Sequence, residues 1–220
     1  MKCYLCVMII LGFIVLLVAY LMGSVPTAVW IGKAFYGIDV REHGSGNAGA
    51  TNTFRVLGKS AGIPVLLIDA LKGWLAVMLP VWFLGGFDSP VLFENFRVTC
   101  GAMAVIGHVF PVFAGFRGGK GVATLMGVAF GMFPLAALGG VALFLLVLLF
   151  THYVSLGSIL ASIGYGLFLL LVEKVHHDAT IIFAVMIPLL VILTHKANIQ
   201  RLISGNESRT YLRKGGKQSV

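Results

Sequence analysis

Between Leu5 and Met22 eighteen consecutive residues carry no charge, and apolar runs of comparable length recur down the chain. A helix needs about 20 such residues to cross a hydrocarbon core of about 30 Å, so each run is a candidate membrane span. With 59% hydrophobic and 11% charged residues in 220, no soluble fold has enough interior to hide this surface. The reading is an all-α polytopic membrane protein. The first run is too long for a typical signal-peptide core and has no small-x-small cleavage site after it, so it is expected to stay as a helix. Cys3 and Cys6 precede that run, which excludes a lipoprotein signal, and with Cys100 they are too few and scattered for a disulfide framework.

The spans drawn from the runs are 4–29, 60–84, 97–114, 121–133, 135–151, 155–172 and 179–195. Residues 121–151 exceed one crossing and are short for two, but Gly131-Met132-Phe133-Pro134 is a good break between two helices. Charge sets the orientation. With the N-terminus outside, the inner segments collect Lys33, Arg41, Arg55, Lys59, Arg117, Lys120 and six tail cations from Lys196 to Lys217. Only Lys2, Arg97 and Lys174 then lie outside, so the cations divide twelve to three, with Lys72 within a span. About seven helices, or six plus a re-entrant pair, with a cytoplasmic C-terminus satisfy this count. Residues 1–200 read as one integral-membrane domain and 201–220 as a basic tail. A formal charge of +8 would suggest nucleic acid in a soluble protein. Here the cations sit in loops, where orientation and anionic membrane lipids explain them, and no nucleic-acid partner is expected.

Polar chemistry collects on the inner side. GHVFPVFAGFRGGKGVAT (107–124) sets Arg117 and Lys120 among glycines between apolar segments. Gly118, Gly119 and Gly121 have access to backbone angles closed to other residues, so successive N–H groups can converge on an oxyanion while the cations add charge. It is not a Walker site, because Gly121 follows the lysine and Ala114 stands where the first glycine belongs. Taken alone, GGKG also serves as a basic turn between membrane helices. Residues 41–55 carry Ser45, Asn47, Thr51 and Asn52 among glycines, flanked by Arg41 and Arg55. Such small donors surround an anion without bulk, although the same composition makes ordinary turns. Ser24 and Pro26 end the first span near this side, and Asp69 and Lys72 lie three apart on one face of the second. An intramembrane pair of opposite charges is costly and must face protein or water. Ser155 and Ser158 open the sixth span, and His195 and Asn198 share a helical face at the end of the seventh. Outside, Glu94, Asp88, His176 and His177 suggest a solvated turn more than a metal site, since adjacent histidines point apart.

Taken together, GSVP, REHGSGNAGATNTFR, GHVFPVFAGFRGGKGVAT and HKANIQRLISGNE resemble the signature regions of the PlsY family, bacterial acyl-phosphate:glycerol-3-phosphate acyltransferases, in order and over nearly the whole chain. The resemblance implies a seven-helix enzyme of the bacterial inner membrane with its active site facing the cytoplasm. It would move a fatty acyl group from acyl phosphate to the sn-1 hydroxyl of glycerol 3-phosphate, giving lysophosphatidic acid and phosphate with no cofactor and no metal. It implies catalytic roles for Ser45, Arg55, Lys120, His195 and Asn198. Substrate contacts would come from Asn47, Thr51, Asn52, Arg117, Gly118, Gly119, Gly121 and Ser158, with Glu207 structural.

The residues agree with that chemistry. Acyl phosphate is an activated anhydride, so the enzyme must chiefly place the hydroxyl beside the carbonyl and stabilise developing negative charge. None of the six histidines has an Asp five residues on, which excludes the His-x-x-x-x-Asp acyltransferases, and no G-x-S-x-G elbow is present. The inner loops hold only Asp39, Glu42 and Glu207 as carboxylates, too few for a magnesium cluster. A phosphate-ester or anion transporter is the alternative. It fits the glycine loops and intramembrane charges but not the piling of polar clusters on one face. A phosphotransferase of the alcohol phosphatidyl type would need several aspartates on one helix, which are absent. Acyl-chain preference, oligomeric state, the division of the two phosphates between the loops and the identity of the general base stay open.

Overall fold

The computed structural model describes residues 2–84 and 89–210, with side chains from residue 7 onward. The side chains of Lys2, Cys3 and Cys6, Asp88 and the tail cations Arg213, Lys214 and Lys217 lie outside the described residues. Every regular element described is helical. In chain order they are α1 (Lys2–Gly23), α2 (Thr27–Tyr36), a 3₁₀ turn (Val40–Glu42), α3 (Ala50–Leu57), α4 (Lys59–Phe83), α5 (Pro90–Val109), a 3₁₀ turn (Val112–Ala114), α6 (Val122–Met132), α7 (Pro134–Thr151), α8 (Val154–Leu171), α9 (Asp178–Thr194) and α10 (Lys196–Ile203).

The chain groups into two compact units: one runs through Pro134 and includes His177–Thr180, the other comprises Leu135–His176 and the chain from Ile181 onward. In the first unit α4 is the centre, packed against α1, α2, α3, α5 and α6. Two crossings bring backbone onto backbone. A β-carbon at Gly73 would overlap the Thr124 carbonyl and one at Gly127 the Ala70 carbonyl, so α4 and α6 meet reciprocally. Gly23 lies on the Ala104 carbonyl and Gly107 on that of Tyr20, which does the same for α1 and α5. Such close approach at small residues is how helices associate where lipid is as apolar as their side chains. In the second unit Gly157 faces Phe144 of α7 and Gly166 faces the Ala184 carbonyl of α9, so α8 packs on both neighbours.

Local chemistry explains most boundaries. α5 begins at Pro90, seven residues before the expected span, because Ser89 caps it by accepting from Leu92 N at 3.4 Å and Pro90 fits the first turn. Its first residues include Glu94 and Asn95, which hide the helix from a hydropathy reading. The span drawn as 4–29 is broken: α1 ends at Gly23, Pro26 caps α2, and the two helices bend by 44°. α9 and α10 bend by 63° at His195. The break before Pro134 falls where expected, between α6 and α7. At α3 the sequence argues for loop, because Thr and Asn are poor helix formers, but the Phe54 ring seated on Gly62 of α4 holds the segment helical.

Among the described residues four helices are long and apolar enough to cross a membrane, and up to six if each bent pair is one span. α6 has 11 residues and reaches only ~16 Å, about half a hydrocarbon core. Large apolar side chains face outward, among them Phe13 at 70% exposure, Leu67 at 61% and Leu193 at 72%. In water this surface would be untenable, and the chain is a membrane protein. Replacing Gly127 with Leu should force α4 and α6 apart and destabilise the fold by about 2 kcal/mol or more. Gly139→Ala, where a β-carbon meets nothing within 4 Å, should leave the melting temperature in detergent unchanged.

Candidate active site

In the first unit the expected residues fall on two loops and on α3, each loop running into a helix whose N-terminus has no side-chain cap. The first, residues 37–49, leads through Gly49 into α3, and the second, residues 115–121, leads through Gly121 into α6. The first-turn N–H groups of an uncapped helix are donors with the positive end of the helix dipole behind them, suited to an anion.

The first loop is built on Asp39 and Asn52. Asp39 Oδ1 accepts from the backbone N and the Nε of Arg41, each at 3.0 Å, and its Oδ2 meets the Arg41 guanidinium at 2.7 Å. Lys33 Nζ lies 3.3 Å from the same carboxylate. The Arg41 guanidinium, with the further donors around it, holds the Asp39 carboxyl far below the usual carboxylate range despite burial. Arg41 then reaches the second loop, donating from Nη1 to the carbonyls of Ala114 at 2.8 Å and Arg117 at 3.4 Å. One guanidinium thus fixes the two loops to each other.

Asn52, 1% exposed, uses its whole carboxamide on the loop. Its Oδ1 accepts from Ser45 N at 2.8 Å and Ser45 Oγ at 3.1 Å, and its Nδ2 donates to the carbonyls of Val40 at 2.8 Å and His43 at 3.1 Å. Ser45 is held at an exposed tip. Asn47 is half-buried, while Thr51 and Arg55 are exposed on α3.

On the second loop, Gly121 has φ +81, a left-handed angle that favours glycine, at the entry to α6. Gly118 and Gly119 do not use such angles, against expectation. They are glycine because the chain passes tightly over His108: Gly119 N donates to the His108 carbonyl at 3.2 Å, a β-carbon at Gly118 would overlap that carbonyl, and one at Gly119 would overlap the imidazole. Arg117 is exposed and Lys120 half-buried.

The second unit holds Ser158, His195 and Asn198. His195, 3% exposed at the N-cap of α10, has Nδ1 2.8 Å from the Val191 carbonyl. A carbonyl can only accept, so Nδ1 carries the proton and a neutral ring keeps its lone pair on Nε2. Asn198 Nδ2 donates to Glu207 Oε1 at 2.6 Å, Ser155 Oγ to the same oxygen at 2.8 Å, and Arg201 Nε to Oε2 at 2.8 Å. Burial would raise the Glu207 carboxyl, but these three donors together hold it below its ordinary value. Ser158, buried one turn into α8, donates to the Val154 carbonyl at 2.9 Å.

Sequence reasoning passes over Arg41 as a link between loops and His108 altogether. The lone histidine inside the glycine-rich stretch is the available signal.

A family model described as glycerol-3-phosphate acyltransferase matches residues 13–205. A glycerol-3-phosphate acyltransferase of Chlorobaculum tepidum is 44% identical over 221 aligned positions, which cover 89% of this chain and 94% of that protein. One from Listeria welshimeri is 46% identical over 194, covering 88% and 93%. Among solved structures, PlsY, an integral membrane glycerol 3-phosphate acyltransferase in its glycerol 3-phosphate form, superposes with a TM-score of 0.81 at 40% identity, covering 91% of this chain and 96% of that one. Its lysophosphatidic acid form gives 0.78 at 39% identity, covering 91% and 95%. On the family match, the identity and the shared helical architecture, the chain belongs to the PlsY family of glycerol-3-phosphate acyltransferases.

Proposed function

We propose that this membrane enzyme transfers a fatty acyl group from acyl phosphate to the sn-1 hydroxyl of glycerol 3-phosphate, giving lysophosphatidic acid and inorganic phosphate. The observation that carries the reading is the pair of glycine loops, each opening on an uncapped helix N-terminus and both held by Arg41. Two phosphorylated reactants need two anion sites set side by side, and the loops supply backbone donors with Ser45, Arg55, Arg117 and Lys120 beside them. The relatives' glycerol 3-phosphate and lysophosphatidic acid forms support substrate and product.

The enzyme sits in a bacterial inner membrane as one domain over residues 1–200, with about seven helices, the N-terminus outside and the basic tail of 201–220 in the cytoplasm. The twelve-to-three division of cations supports this orientation, and a cytoplasmic site suits a water-soluble acceptor and a lipid donor drawn from the bilayer. α6 is then half of a re-entrant or incomplete crossing.

Transfer is direct. The acceptor oxygen bonds to the acyl carbonyl carbon, the bond from that carbon to the phosphate oxygen breaks, and the acceptor's proton passes to the departing phosphate or to His195 Nε2. Lys120 and the first-turn N–H groups of α6 behind Gly121 hold phosphate charge, the Gly119 N–H being engaged by the His108 carbonyl, while Arg55, Asn47 and Thr51 serve the first loop. Asn52 braces Ser45 instead of binding ligand. Ser158 and Asn198 orient substrate, Asn198 being itself oriented by Glu207.

Phosphate release from acyl phosphate that depends on glycerol 3-phosphate, measured in detergent, tests the reaction, and a transporter would produce none. Lys120→Ala should raise the KM of one phosphorylated substrate about tenfold or more while the melting temperature holds. An unchanged KM for both would remove Lys120 from the site. His195→Gln should lower kcat at least about 100-fold if the imidazole takes the proton. A variant keeping most of kcat would leave the donor's phosphate oxygen as the acceptor.

A further inference from the structure

Beneath the two loops runs a chain of buried polar groups to which the acyl transfer gives no direct part. Asp69 is 1% exposed and Lys72 is 5% exposed. On α4 they form an ion pair of 2.8 Å. Lys72 Nζ also donates to the Val25 carbonyl at 3.0 Å, and Thr27 Oγ1 donates to Asp69 Oδ1 at 2.9 Å. Val25 and Thr27 flank the Pro26 break from which α2 and the first loop depart. On the other side His108 Nδ1 lies 3.8 Å from Asp69 Oδ1 and 3.2 Å from Thr124 Oγ1. His108 and Thr124 bracket the second loop: one ends the helix before it and bears the backbone of Gly118 and Gly119, the other is in the first turn of the helix after it.

A single buried charge pair therefore touches the roots of both loops. Ionised side chains inside a membrane protein are costly to bury and persist where they hold something that apolar packing cannot. Leucines at these positions would fill the volume, but they would fix neither the rotation of the His108 ring nor the turn at Pro26. The imidazole is the floor on which Gly119 rests, so its orientation sets the height of Lys120 and of the α6 N-terminal amides above that floor.

We infer that Asp69, Lys72, His108 and Thr124 are positioning residues: Thr124 Oγ1 at 3.2 Å and the Asp69 carboxylate, held by Lys72 and standing 3.8 Å from Nδ1, set the His108 ring, and the ring sets the anion-binding geometry of the glycine loop. The inference rests on the acyl-transfer reading above. A role of this kind predicts a selective kinetic effect. Disturbing the ring should weaken the substrate held by the second loop and spare the one held by the first.

The mildest disturbance is Thr124→Val, which removes one hydroxyl at nearly constant volume. KM for each substrate and the melting temperature are measured in detergent by phosphate release and by thermal unfolding. Thr124→Val should raise, by about fivefold, the KM of the same substrate whose KM is raised by Lys120→Ala, leaving the other KM and the melting temperature in place. Thr124→Ser should restore it. Lys72→Met should produce the same selective rise, with a lower melting temperature. If Thr124→Val lowers the melting temperature with both KM values unchanged, or raises both equally, the network is scaffold only and the inference falls. Wild-type enzyme that releases no phosphate would overturn the reaction itself.

Discussion

Backbone-to-backbone packing between helices is the constraint on which the first unit depends. Lipid offers no hydrophobic force to press one apolar helix on another, so association comes from close surface fit and from polar groups that find partners in protein. At Gly73 with Gly127, and at Gly23 with Gly107, the absence of side chains lets carbonyls lie on α-carbons. α4 becomes a mast to which α6 is bound along its whole short length. Because α6, with 11 residues, is too short to reach across a hydrocarbon core, this lateral grip fixes its N-terminus, and so the glycine loop, against α4.

On that scaffold the loops are arranged by charge. Asp39 is neutralised by Arg41 and Lys33, and the guanidinium left over reaches the carbonyls of Ala114 and Arg117. The result is a junction in which Arg41 and Lys33 are committed to structure. Such a junction suits the proposed catalysis by placement, since electrostatic stabilisation is strongest when the groups need no reorganisation.

The helices are legible in the sequence because membrane spans are long apolar runs, and seven of the ten α-helices among the described residues correspond to the spans drawn. The breaks at Pro26 and Pro134 are visible for the same reason: proline withholds an N–H that lipid cannot replace. α2 is hidden because residues 27–36 continue the apolar run past Pro26, and α3 because its helicity comes from Phe54 resting on Gly62 and not from propensity. At the site, the polar residue types are readable, but their division of labour is not. Asn52 closes on carbonyls nine and twelve residues earlier, and Arg41 on one 73 residues later, pairings that no local pattern encodes.

The glycines above His108 have an implication for mutagenesis of loops of this kind. Because Gly118 and Gly119 are fixed by crowding from below and not by unusual backbone angles, an added methyl at either acts as a wedge driven between loop and imidazole. Impaired turnover in such a variant measures how far the cradle has been lifted, and does not identify the glycine as a residue that binds the reactant.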